Sequence, residues 1–87
     1  MTQANVVAND ETRLGPNVRV TVIEHYSEGH HRIFEGQESD VLCDLLESYP
    51  WLASRCGQNA SVVALVRVLD RAQAFSAGVH TVLQAKS

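Results

Sequence analysis

The chain has 87 residues, 45% of them hydrophobic, and carries seven Lys plus Arg against ten Asp plus Glu for a net charge of −3. A chain of this size holds one domain and buries only about 60–65% of its unfolded surface, so a partner subunit, a metal or a disulfide is the usual supplement. The basic residues are scattered, leaving no stripe to neutralise a run of phosphates, and no run of about 18 apolar residues could span a bilayer; nucleic-acid and membrane proteins are both disfavoured.

Residues 1–16 (MTQANVVANDETRLGP) are polar and aperiodic apart from Val6, Val7 and Leu14. They read as a flexible arm, with Asn5 to Ala8 able to add a short edge strand, and residues 17–87 as a single α+β domain. The chain does not open on a basic segment and an apolar run, so no secretory leader is expected. Cys43 and Cys56 form no CxxC motif and are expected as free thiols in a cytoplasmic protein.

From Asn17 the pattern NVRVTVIEHY alternates Val18, Val20 and Val22 with Arg19 and Thr21, the period of a strand with one buried face. Ser27-Glu28-Gly29 supplies a turn whose glycine suits the positive φ of a bulged hairpin, and HRIFEG supplies the return strand. Counting outward from that turn sets Tyr26 against His30, His25 against His31, Glu24 against Arg32, Ile23 against Ile33 and Val22 against Phe34. Glu24 and Arg32 are then expected as a solvated cross-strand ion pair.

After GQESD, with Ser39 or Asp40 as the helix cap, Val41, Leu42, Leu45, Leu46 and Tyr49 recur at helical spacing until Pro50 ends the helix. Trp51 and Leu52 are expected to plug the core in a short turn stopped by Gly57. Asn59 or Ser61 caps a much longer helix, in which Leu65, Leu69, Ala72, Ser76, Val79 and Leu83 step by three or four. Unbroken from residue 62 to 84, it measures about 34 Å at 1.5 Å per residue, with Gly78 as its weak point. The expected fold is therefore ββαα: an N-terminal β-hairpin packed on a short helix and a long C-terminal helix. That helix outreaches its cover, and those six residues are the expected seam of a homodimer.

Little of this pattern carries chemistry. There is no GxSxG, HExxH or glycine-rich phosphate loop, so no catalytic residue is assigned, no cofactor is expected and the chain is read as not an enzyme. His25 and His31 share a face and make a two-ligand platform for zinc, nickel or copper, short of the four ligands of a structural zinc site, while His80 is placed on another element. Facing imidazoles would also repel when both are protonated, a route to pH response. Residues 40–74 resemble a helix-turn-helix only loosely, since the loop is long and the second helix offers Arg67 and Arg71 alone. The leading expectation is a small non-catalytic protein-binding regulator acting as a homodimer, an inhibitor or adaptor, chromosomal or carried by a phage or plasmid. Its contact surface is Ile23, His25, His31 and Ile33, with Tyr49 and Trp51 as aromatic anchors. A metal- or pH-responsive module using His25 and His31, and a weak DNA-binding regulator, are the alternatives.

Overall fold

The hairpin forms with the register that the alternation of apolar residues implies. In the computed structural model, which describes residues 13–57 and 59–86, strand β1 (Arg19–His25) pairs antiparallel with β2 (His31–Gln37). Val22 lies opposite Phe34, Ile23 opposite Ile33, Glu24 opposite Arg32 and His25 opposite His31. Gly29 takes φ 102°, donates its N–H to the Tyr26 carbonyl at 3.0 Å, and lets the Tyr26 N–H close the loop on His30 O at 3.0 Å. That is the left-handed residue a bulged turn needs. The proposed strand at Asn5 to Ala8 falls outside the described residues.

Helix α1 (Glu38–Ser48) starts earlier than its expected cap at Ser39 or Asp40. Gln37 is the N-cap, and Asp40, three residues on, accepts the Gln37 N–H at 3.2 Å. A carboxyl in this position satisfies a donor the helix itself leaves unpaired. Helix α2 (Trp51–Cys56) follows Pro50 and stops at Gly57. Leu52 is fully buried but Trp51 is 37% exposed, so only one of the expected pair plugs the core. Helix α3 (Val62–Ala77) is capped by Ser61, whose Oγ accepts the Ala64 N–H at 3.3 Å.

The long C-terminal helix is not formed, and the expected ββαα order is corrected here. Gly78 adopts φ 68° and ψ 23° and ends α3 in the left-handed conformation, with the Val79 N–H returned to Gln73 O at 3.2 Å. Asp70 Oδ1 then accepts the Thr81 N–H at 2.8 Å, and His80–Lys86 runs back as strand β3. β3 pairs antiparallel with β1, giving a sheet of order β2-β1-β3. The exchange of helix for strand covers the second edge of β1, whose backbone groups would otherwise lack sheet partners.

All three helices lie on one side of this sheet. Val20, Val22 and Phe34 point into a core completed by Val41 and Leu45 of α1, Leu52 of α2, and Val62, Leu65, Val66 and Leu69 of α3. Each fully buried leucine or valine contributes about 1.5–3 kcal/mol relative to exposure, so this single layer holds the domain together. Glu38 ties its ends: Oε1 accepts the Leu14 N–H at 3.0 Å and Oε2 the Val62 N–H at 3.2 Å. Residues 13–16 of the expected arm are thus fastened to the domain, with the Arg13 guanidinium also donating to Asn59 O at 2.9 Å. No helix among the described residues is long and apolar enough to cross a membrane.

Candidate functional site

Strand alternation puts every second residue of the sheet on the side away from the helices, and no described residue covers that side. Because paired residues share a face, the two ladders read across three strands as rows. One row is His31, His25 and His80; the next is Ile33, Ile23 and Val82; the next is Glu35, Thr21 and Gln84; the last is Gln37, Arg19 and Lys86. Ile33 is 50% exposed and Val82 41%, while Ile23 between them is half-buried. An apolar band therefore crosses the open face, with imidazoles on one side and a polar strip on the other.

The polar strip is internally paired. Arg19 lies 3.3 Å from Glu35 Oε1 and the Thr21 hydroxyl donates to Glu35 Oε2 at 3.2 Å. The Arg19 hydrogen bond first, then that of Thr21, holds the Glu35 carboxyl below the ordinary carboxylate range. On the imidazole side, the His25 and His31 ring centroids are 6.2 Å apart and tilted by 46°. His30 belongs elsewhere: its ring stacks on Tyr26 at 4.7 Å.

Four of the six expected contact residues, Ile23, His25, His31 and Ile33, thus share the open face. Tyr49 and Trp51 do not join them. The Tyr49 hydroxyl reaches the helix-facing side of β1 and donates to Glu24 Oε2, and Trp51 sits at the start of α2, edge-on to Tyr49 at 6.2 Å with the Arg55 guanidinium 5.8 Å over its ring. Burial and then the bond to Glu24 push the Tyr49 hydroxyl up to about 12.

Glu24 itself departs from expectation. It is fully buried, its Oε1 accepts the Tyr26 hydroxyl at 3.1 Å, and Arg32 makes no ion pair with it. The Arg32 guanidinium instead donates to Ser48 Oγ at 2.8 Å and lies 4.6 Å over the Phe34 ring. The carboxyl faces inward because β1 places it on the Val20 and Val22 side, where two tyrosine hydroxyls replace solvent.

The six residues of the expected dimer seam are scattered in the structure. Leu65, Leu69 and Val79 are buried within the chain's own fold, and Leu83 is half-buried on the helix-facing side of β3. Ala72 is half-buried, and exposed Ser76 returns its hydroxyl to Ala72 O at 2.9 Å. Phe75 is the large apolar side chain that α3 exposes among the described residues, at 94%. Elsewhere Arg55, Arg67 and Arg71 line a groove of about 180 Å³ between α2 and α3, a local attraction for a carboxylate or a phosphate but not a phosphate-tracking stripe.

His80 and Val82 are the face residues that sequence reasoning missed. The signal was present in Gly78-Val79-His80-Thr81-Val82, where a helix-stopping glycine precedes β-branched residues. No protein-family model, curated protein or solved structure matches this chain.

Proposed function

We propose that this chain is a small non-catalytic protein-binding regulator, an inhibitor or adaptor, that docks a partner protein on the open face of its sheet. The observation that carries the reading is the apolar row Ile33, Ile23 and Val82 on a face that no described residue covers. Apolar side chains aligned between polar rows resemble the core and rim of a contact surface. The inward carboxyls Glu24 and Glu38 are held by donors of the fold itself, which suits structural rather than catalytic duty.

Ile33→Lys tests the reading, because it places a charge at the exposed end of the row while leaving the core intact. The wild-type chain and the variant are compared by sedimentation and by cross-linking with mass spectrometry in the source cell, with circular dichroism confirming that both fold. A wild-type dimer that the variant splits to 9.6 kDa identifies a second copy as the occupant. A monomer that cross-links to another protein only through an intact row identifies a heterologous partner. Identical mass and identical cross-links for the two chains would overturn the proposal.

A further inference from the structure

The helix side of the molecule carries a feature that docking on the open face does not explain. We propose that Arg55, Arg67 and Arg71 form a binding site for the phosphate group of a phosphate monoester, in the groove between α2 and α3.

The chain's six arginines divide by what they do in the fold. Arg13 donates to Asn59 O at 2.9 Å, Arg19 pairs with Glu35 at 3.3 Å, and Arg32 donates to Ser48 Oγ at 2.8 Å. Among the described residues no carboxylate lies within ion-pair distance of Arg55, Arg67 or Arg71, and Arg55 has its contact with the Trp51 ring. Those three line one groove together with Val68 and Ala72. Neither helix supplies a counter-charge. α2 contains no acidic residue, and the single one of α3, Asp70, is engaged by the Thr81 N–H at 2.8 Å.

The grouping is a product of the fold and not of a basic run in the sequence. Arg67 and Arg71 stand four residues apart on α3, a spacing at which like charges disfavour the helix. The third guanidinium arrives from α2, on the other side of the chain break in helical structure at Gly57. Three cations without counter-charge in one groove repel one another, and an anion bound among them relieves that repulsion and stabilises the folded chain.

The shape and charge of the groove select the anion. Its volume of about 180 Å³ is below the roughly 300–1,000 Å³ of clefts that enclose a drug-sized ligand, so it takes one anionic group and leaves the remainder outside. A phosphate monoester carries about −1.5 to −2 charges at pH 7, and its oxygens accept from guanidinium forks in pairs. A carboxylate carries one charge and is satisfied by a single fork, so three arginines favour the phosphate. What lies beyond the groove is aromatic. Phe75 is four residues past Arg71, on the same side of α3, and 94% exposed. A planar apolar group esterified to the phosphate would rest on that ring. A nucleoside monophosphate and a phosphotyrosine side chain both have this chemistry.

The test is calorimetry on the purified chain with phenyl phosphate, inorganic phosphate and benzoate, at an ionic strength held constant with KCl. We expect one phenyl phosphate per chain, bound at least about tenfold more tightly than benzoate. Arg55→Gln, Arg67→Gln and Arg71→Gln each weaken it by about tenfold, as loss of a charged hydrogen bond should, while Arg19→Gln binds as wild type. Phe75→Ser weakens phenyl phosphate and leaves inorganic phosphate unchanged. All five substituted side chains are exposed, and circular dichroism confirms that the variants fold. Adenosine monophosphate and a phosphotyrosine peptide, run in the same way, identify the source by which of them binds more tightly. Absence of saturable binding by every phosphate ester would overturn the site. So would equal affinity for benzoate, or equal loss in Arg19→Gln, either of which marks general attraction to positive charge. Ile33→Lys, on the far side of the sheet, leaves phosphate binding intact, so this site and the docking face stand or fall separately.

Discussion

Glu24 shows how one residue's direction decides its role. Opposite Arg32 in the ladder, it reads as half of an exposed pair, yet the strand turns it toward the core, where Tyr26 and Tyr49 donate to its two oxygens. Tyr49→Phe leaves Oε2 without that donor in a buried setting, and we expect a loss of about 1–3 kcal/mol in urea unfolding. The same variant carries a pH signature. Burial and the Glu24 bond raise the Tyr49 hydroxyl from 10.0 to about 12 in the folded chain. Between those values the folded chain keeps a proton that the unfolded chain has released, so the stabilisation is complete below pH 10 and is lost as pH rises toward 12. The urea midpoint of the wild type should therefore fall more steeply over that range than that of Tyr49→Phe. Parallel alkaline limbs would show that the hydroxyl is not held by its surroundings as described.

At the scale of elements, one glycine separates the fold read from sequence from the fold observed. Gly78 sits at φ 68°, and a Cβ built there meets nothing within 4 Å, so substitution costs backbone strain and no steric clash. Gly78→Ala should destabilise by about 1–2 kcal/mol, and Gly78→Asn by less, because asparagine tolerates the left-handed region better. Denaturant midpoints for the two variants check this ordering, and an alanine variant as stable as wild type would mean that α3 can run on. The hairpin was legible from sequence to the residue because its alternation, its turn glycine and its apolar partners all agree. The end of α3 was not, since Val79, Val82 and Leu83 continue a helical spacing as readily as they supply a strand. Local pattern leaves the two periods open there; the uncovered edge of β1 and the Asp70 bond to the Thr81 N–H favour the strand, and both are tertiary. The same ambiguity hid the candidate site, because His80 reaches the row only once β3 exists.

For the whole molecule, the layer arrangement reassigns which apolar surface is internal and which is available. A helix continuing to residue 84 would have left Leu65, Leu69 and Val79 seeking a second copy; ending at Ala77, it buries all three in its own chain and leaves the far side of the sheet uncovered by any described residue. Leu69→Asp distinguishes these arrangements. At a dimer seam the substitution would dissociate folded monomers. In the observed fold Leu69 is 0% exposed among Val, Leu and Phe side chains, so the new carboxylate has neither water nor a partner. An uncompensated buried charge costs about 3–5 kcal/mol, against a total stability of roughly 5–15 kcal/mol that a domain this short meets at its lower end. We therefore expect Leu69→Asp to lose its helical circular dichroism and cooperative unfolding transition, whereas Ile33→Lys, altered on the open face, keeps both. A folded, monomeric Leu69→Asp chain would place Leu69 at a surface and return the apolar seam to α3.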